Sequence, residues 1–144
     1  LLAKVSDRPG AEAVAYHKAA LGASHSVFFV QRYVEKGGYD LRAILVGGQP
    51  VSLMRRKSSH WITNTARGGT PESCEISSPL EALLRRVAQA VGGDFLAVDL
   101  FETESGWLVN EVNGQPEFHG SVEATGLDLA GRLLKYVWNF IPRD

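Results

Sequence analysis

The sequence has one cysteine, no long apolar run and almost no net charge, and each shortage excludes a class of protein. Cys74 alone cannot form an internal disulfide framework or a multi-cysteine metal site. No apolar run approaches the roughly 18 residues that span a bilayer, and LLAKVSDRPG lacks the pattern of a secretory signal. The formal charge of -1 draws the chain neither to nucleic acid nor to an anionic membrane. These features predict a cytoplasmic protein without nucleic-acid or membrane partners.

The composition leaves room for one packed domain. The chain has 144 residues, 44% of them hydrophobic, which suffices for one core and is too little for two domains of ordinary size. It opens without Met, inside the apolar run LLAKV, whose pattern resembles the second half of a strand or hairpin. We therefore expect the sequence to be cut from a longer protein.

Apolar patterns and turn residues divide the chain into helices and strands. Caps and apolar stripes predict three helices: one capped by Ser6 or Asp7 and ending at Gly22, one from Ser77 or Ser78 to Gly92, and one opening near Asp128. β-branched and aromatic runs predict strands at 26–35, 40–46, 51–56 and within 95–113. We expect a long polar loop at 57–78 and irregular chain at 114–126. This order predicts an α+β fold, an antiparallel sheet with helices packed on one face.

The hairpin of residues 95–113 carries three oxygen-bearing side chains. Alternation along a strand places Glu111 on one face with Asn113 and Trp107, and the hairpin turn sets Asp99 opposite Glu111 or one step from it. Two carboxylates on an apolar face repel each other and need a positive partner. Carboxylate and amide oxygens without His or Cys favour Mg²⁺ or Mn²⁺ over Zn²⁺.

The same hairpin is compatible with a surface that binds nothing. Charged side chains are mostly exposed, so Asp99 and Glu111 could face solvent at an edge of the sheet. Against this, Asp is uncommon in strands, and Asn113 adds a third oxygen to the same face. The pattern by itself leaves both interpretations open.

Six ordered motifs make the chain similar to a known family. They are QRYV, DLR, NTARGG, AVDLF, VNEVN and TGLDLA. Together they resemble the C-terminal part of an ATP-grasp carboxylate–amine ligase. HWITNTARGG and NGQPEF are most similar to the branch that joins 2-aminoadipate or glutamate to an amino-group carrier protein. The resemblance implies that residues 1–30 end the central ATP-grasp subdomain and that residues 31–144 form the C-terminal one.

The resemblance also implies site residues, by position. The ligands of Mg²⁺ on the ATP phosphates would be Asp99, Glu111 and Asn113. Contacts to adenine would come from Arg32, Tyr33 and Val34, and a contact to the ribose from Asp40. Residues near the phosphates and the acyl-phosphate would be Arg42, Asn64 and the catalytic Arg67. A nucleotide-binding lysine and a glycine-rich loop are expected before Leu1, so the chain would supply about half of an active site.

The implied reaction joins a carboxylate to an amine with ATP. The C-terminal Glu of a small acidic carrier protein would be phosphorylated, and the amine of 2-aminoadipate or glutamate would attack the acyl-phosphate in lysine or arginine biosynthesis. We also expect a homo-oligomer. Two alternatives remain, a glutamate ligase of the ribosomal-protein S6 type and a non-catalytic nucleotide-binding module.

Two further positions stay undecided in the sequence. Either Arg55 or Arg56 would face the nucleotide or the acidic substrate, and strand parity decides which one does so. Glu117 could bind a substrate amine or cap a turn.

Overall fold

A computed structural model describes residues 3–22, 27–63 and 70–141. The chain divides into two compact units, residues 1–35 and 36–144. The first unit contains helix α1, Arg8–Ala19, which begins where the Asp7 carboxylate accepts a hydrogen bond from the backbone N–H of Gly10. The predicted first helix is therefore confirmed, and of the two predicted caps, Ser6 and Asp7, the structure has Asp7.

Residues 27–35 form no strand, so the strand prediction for this part of the chain is wrong. Val27, Phe29 and Val30 have 86% or more of their surface exposed. β propensity largely reflects packing against neighbouring strands. The described residues of the first unit contain no strand that could pair with this segment.

The second unit contains a five-stranded antiparallel sheet. Its strands are β1 (Tyr39–Val46), β2 (Gln49–Lys57), β3 (Thr70–Ser73), β4 (Phe95–Thr103) and β5 (Gly106–Asn113). Their order across the sheet is β3-β2-β1-β4-β5, and every neighbouring pair is antiparallel. The unit also contains helices α2 (Ser78–Val91), α3 (His119–Thr125) and α4 (Leu129–Trp138). Both predicted hairpins and the α+β class are confirmed.

Helices cover both faces of the sheet. On one face, Leu41 and Leu100 pack with Leu84 of α2. On the other face, Ile44 packs with Leu129 of α4. The prediction of helices on one face only is wrong. β1 and β4 carry apolar side chains that point to both faces of the sheet, and such strands must be covered on both faces. None of the helices in the described residues is long and apolar enough to span a bilayer.

Two short elements were not predicted from the sequence patterns. β3 lies within the predicted polar loop and pairs with the end of β2. Helix α3 lies within the predicted irregular segment. Each has seven residues or fewer, with little apolar periodicity. Their structure comes from contacts with the rest of the unit, which outweigh weak local preferences.

The β1–β2 turn offers a matched pair of glycine substitutions. Gly47 and Gly48 both have positive φ, so Ala is strained at either position. A Cβ at Gly47 would also lie 2.3 Å from the Tyr136 ring, whereas at Gly48 the nearest atom, of Ala88, is 3.9 Å away. We expect Gly48→Ala to cost about 1 kcal/mol of unfolding free energy and Gly47→Ala about 2 kcal/mol more. Urea denaturation of both variants measures the difference, and equal losses would contradict a close contact with Tyr136.

Candidate active site

A bulge in the first hairpin decides which arginine joins the site. The register of β1 with β2 shifts between Ile44 and Leu45, so that Asp40 lies opposite Arg56. Directly opposite residues share a face, and Arg56 therefore lies on the face that carries Asp40. Arg55 lies on the other face, where its guanidinium is 4.5 Å from the centre of the Tyr39 ring.

A second bulge sets the register of the carboxylate hairpin. The pairing of β4 with β5 shifts after Asp99, which places Asp99 opposite Glu111 and Ala97 opposite Asn113. The predicted pairing of Asp99 with Glu111 is confirmed. The prediction that Trp107 shares their face is wrong, because the bulge reverses the parity of β5 and Trp107 packs into the cluster beneath α2.

Asp99 is held by two guanidinium groups. Nη1 of Arg42 lies 3.0 and 3.1 Å from the two carboxylate oxygens of Asp99, and Nη2 of Arg56 lies 3.1 Å from Oδ2. Only 6% of Asp99 is exposed. The positive partners that a carboxylate on this face requires are thus Arg42 of the neighbouring strand β1 and Arg56 of β2, the next strand beyond it.

Asp40 is buried beside the same guanidinium. It accepts hydrogen bonds from Nε and Nη2 of Arg56 at 2.6 and 2.9 Å and from the hydroxyl of Thr63 at 2.5 Å. Burial lowers the pKa of Arg56, but the bonds to Asp40 and the charge of Asp99 outweigh it and raise the pKa overall. Arg56 is therefore a permanent cation clamped between two carboxylates.

Lys36 completes this buried group. Its ammonium donates to Thr63 Oγ1 at 2.7 Å and lies 3.9 Å from Asp40. Burial lowers the pKa of Lys36 more than the nearby carboxylates raise it. We call Lys36, Asp40, Arg42, Arg56 and Asp99 the charged cluster. With three cations against two carboxylates, it carries one net positive charge when Lys36 is protonated.

The donors of the predicted metal site lie together on this face. Glu111 is exposed opposite Asp99, and Asn113 is half-buried on the same face of β5. In the described ranges, no three His, Cys, Asp or Glu side chains gather as a metal-binding group. The predicted set has two carboxylates and one amide, a hard-oxygen set that fits Mg²⁺. Its carboxylate Asp99 is already bonded to Arg42 and Arg56.

The segment after β5 lies beside Arg42. The Arg42 guanidinium approaches the backbone oxygen of Glu117 at 3.4 Å. The Glu117 carboxylate accepts a hydrogen bond from the backbone N–H of His119, which lowers the Glu117 pKa. Of the two interpretations of Glu117, this geometry favours the cap at the start of α3.

The remaining predicted site residues belong to the first unit or lie outside the described residues. Arg32, Tyr33 and Val34 belong to the first unit, where Tyr33 lies beneath the ammonium of Lys4. Asn64 and Arg67 lie outside the described residues, so their predicted roles stay predictions.

Sequence reasoning left out Lys36 of the charged cluster and Thr63, whose hydroxyl joins Lys36 to Asp40. Lys36 precedes a Gly-Gly turn and Thr63 lies in a polar segment, so neither stands in a pattern that marks a site. For Arg56, only the strand register could distinguish it from Arg55.

The opposite face of the sheet allows a pH test. The Tyr39 hydroxyl donates to Glu102 at 2.5 Å, and this bond raises the Tyr39 pKa above its ordinary value of 10.0. We expect Tyr39→Phe to lower the unfolding free energy by about 1 kcal/mol at pH 7. A raised pKa contributes stability below pH 10 that is lost as pH rises through the folded value, so the deficit should shrink at higher pH. Urea denaturation on both sides of pH 10 checks this, and a constant deficit would contradict it.

Comparison with known proteins identifies the family. The model of the RimK-like ATP-grasp domain matches residues 11–137, most of the chain. The chain belongs to the RimK-like ATP-grasp family. The ATP-grasp crystal structure of a RimK domain protein from Sphaerobacter thermophilus DSM 20745 superposes with a TM-score of 0.64 at 25% identity, covering 93% of this chain and 45% of that one. The predicted ATP-grasp fold is confirmed.

Two curated relatives illustrate the likeness. The chain is 34% identical over 119 residues to the alpha-aminoadipate–LysW ligase LysX of Sulfurisphaera tokodaii, covering 81% of this chain and 42% of that protein. It is 33% identical over 127 residues to the glutamate–LysW ligase ArgX of Sulfolobus acidocaldarius, covering 85% and 45%. The chain thus spans less than half the length of these relatives. The resemblance to the branch that joins 2-aminoadipate or glutamate to an amino-group carrier protein is confirmed.

Proposed function

We propose that this chain is the nucleotide- and metal-binding part of an ATP-dependent carboxylate–amine ligase. The observation that carries the proposal is the pairing of Asp99 with Glu111 on a sheet face that also bears Asn113, Arg42 and Arg56. Oxygen donors beside guanidinium groups suit a polyphosphate and its divalent cation. Membership in the ATP-grasp family supports ATP as the nucleotide.

Each residue has a proposed role in this function. Asp99, Glu111 and Asn113 would hold Mg²⁺, which when bound neutralises phosphate charge. Manganese could replace Mg²⁺ because both prefer hard oxygen donors. Arg42 would contact the phosphates and Asp40 the ribose. The roles of the adenine contacts Arg32, Tyr33 and Val34, and of Asn64 and Arg67 near the acyl-phosphate, rest on the family resemblance, as do the domain boundary at residue 30 and the homo-oligomer.

The names of the relatives support a proposal for the substrates. LysX and ArgX are named for joining alpha-aminoadipate or glutamate to LysW. We propose that the full-length protein joins one of these amino acids to the C-terminal Glu of a small acidic carrier protein through an acyl-phosphate. Positioning and charge neutralisation by Mg²⁺ and arginine suffice for such chemistry, without a covalent enzyme nucleophile.

Binding of Mg·ATP to paired variants of the hairpin tests the proposal. We expect Glu111→Gln to weaken Mg·ATP binding by the full-length protein about tenfold or more, because it removes one charged donor. Glu104→Gln changes an acid in the turn of the same hairpin and should bind like the wild type. Calorimetry gives the affinities. ADP release with carrier and each amino acid identifies the substrate.

Two outcomes would contradict the proposed function. One is a wild-type protein that does not bind Mg·ATP. The other is a Glu111→Gln variant that binds it as tightly as the Glu104→Gln control does. Binding without carrier-dependent ADP release would instead favour a non-catalytic nucleotide-binding module.

A further inference from the structure

Asp99 has little room for a metal ion beside its present contacts. A carboxylate offers about four lone-pair positions, and the contacts from Arg42 and Arg56 use three of them. One position is left, and a cation bound there, as the proposed function requires, would lie close to both guanidinium groups, so repulsion between like charges favours the withdrawal of one of them. The two arginines differ in what would hold them afterwards.

Arg56 would keep its position through its bonds to Asp40 even if its contact with Asp99 were lost. Its Nε and Nη2 donate to Asp40 at 2.6 and 2.9 Å, whereas the other contact of Arg42 is a 3.4 Å approach to a backbone oxygen. Asp40 is itself fixed by the hydroxyl of Thr63. With 5% of its surface exposed, Arg56 would be a nearly buried cation that has lost one of two carboxylates and needs another anion.

We propose that Arg56 is a phosphate-binding residue of this site, positioned by Asp40, that exchanges Asp99 for a phosphate oxygen when a Mg²⁺-nucleotide binds. The proposal rests on the proposed function, adds Arg56 to its phosphate contacts and changes the role of Asp40. It gives Asp40 the task of orienting Arg56, in place of the contact to the ribose that the family resemblance implies.

Charge balance predicts an unusual pattern of affinities. The charged cluster is net positive when Lys36 is protonated, so it repels a divalent cation that binds alone. When the cation binds together with phosphates, their negative charge offsets this repulsion. Loss of Arg56 should therefore strengthen the binding of free metal and weaken the binding of metal with phosphate. A purely structural role would weaken both.

The test compares Arg56→Gln with Arg55→Gln in the full-length protein. The two arginines are adjacent in β2 but lie on opposite faces of the sheet, and both substitutions remove one charge. Calorimetry with Mn²⁺ alone and with Mg·ATP gives the two affinities. For Arg56→Gln we expect several-fold tighter Mn²⁺ binding and about ten- to hundredfold weaker Mg·ATP binding. Arg55→Gln should change neither affinity more than about twofold.

Asp40→Asn separates positioning from a contact to the ribose. We expect it to weaken the binding of Mg·tripolyphosphate as much as the binding of Mg·ATP, because a displaced Arg56 affects phosphate binding with or without a ribose. A loss confined to Mg·ATP would overturn the positioning role. If Arg56→Gln does not fold, Arg56→Lys replaces it, with weaker Mg·ATP binding and unchanged Mn²⁺ binding expected.

Three results would overturn the role of Arg56. Parallel weakening of Mn²⁺ and Mg·ATP binding in Arg56→Gln would mark a structural residue. Unchanged Mg·ATP binding in a folded Arg56 variant would show that phosphate does not contact it, while leaving the proposed function intact. A wild-type protein that does not bind Mg·ATP would overturn both proposals.

Discussion

Asp99→Ala is expected to lower ligase turnover in the full-length protein by about a thousandfold or more. Asp99 is the proposed metal ligand that lies deepest in the sheet, with Glu111 opposite it and Arg42 and Arg56 bonded to it. Its loss removes a donor to Mg²⁺ and leaves two guanidinium groups facing each other. A bound metal commonly contributes several kcal/mol to stabilising transition-state charge, which corresponds to this factor. Carrier-dependent ADP release measures the effect.

The control for Asp99→Ala is Asp94, the residue just before the same strand. Asp94 accepts a hydrogen bond from Tyr136, away from the charged cluster, and Asp94→Ala should keep near wild-type turnover. Thermal unfolding of both variants shows whether they are folded. A folded Asp99→Ala variant with the turnover of the Asp94→Ala control would refute the metal assignment.

Asp40→Asn is expected to lower the unfolding free energy by about 3 kcal/mol at pH 7. Removing one partner of a buried ion pair leaves an uncompensated charge, and such losses are commonly 3 to 5 kcal/mol. With Lys36 protonated, the charged cluster would change from one net positive charge to two. Arg56→Gln leaves the charged cluster with two cations and two carboxylates, so it should lower the unfolding free energy less than Asp40→Asn does. Urea denaturation of the two variants provides the comparison.

The loss in Asp40→Asn should depend on pH through Lys36. Asp40 raises the Lys36 pKa, so its removal lowers that pKa further below the ordinary value of 10.5. Between the lowered folded pKa and 10.5 the unfolded chain binds more protons at Lys36 than the folded chain does, so stability rises with pH in this window. We expect the deficit of Asp40→Asn to shrink as pH rises toward 10.5.

Lys36→Met in the Asp40→Asn background tests that explanation. It removes the titrating group and one of the three cations, so the deficit should become smaller at pH 7 and nearly independent of pH. Persistence of the pH dependence in the double variant would show that another group causes it.

Local patterns were sufficient for most elements of the fold. Three signals that act over a few residues each produced the expected element: the Asp7 cap, the Gly-Gly turn before β2 and the apolar stripe of α2. The strand predicted at 26–35 is absent from its described part, residues 27–35, because a strand needs a neighbour that its own composition does not supply. Helices on both faces of the sheet likewise depend on which strands become central.

The sequence by itself determined the chemistry of the site. Asp99, Glu111 and Asn113 lie within one predicted hairpin, and their hard oxygen donors indicate Mg²⁺ or Mn²⁺ from the residue types alone. Six motifs in order were enough to indicate the family, which the match over residues 11–137 confirmed.

The tertiary structure decided which of these side chains meet. A regular two-residue turn would set Asp40 opposite Arg55 and Asp99 opposite Asn110, but one bulge in each hairpin shifts both pairings by a residue. The bulge in β2 lies beside Pro50, which has no N–H to donate to a regular ladder. Because strand side chains alternate with period two, a shift of one residue exchanges the faces of the sheet. The two bulges therefore bring Arg56 and Glu111 to the site and leave Arg55 and Trp107 on the other side.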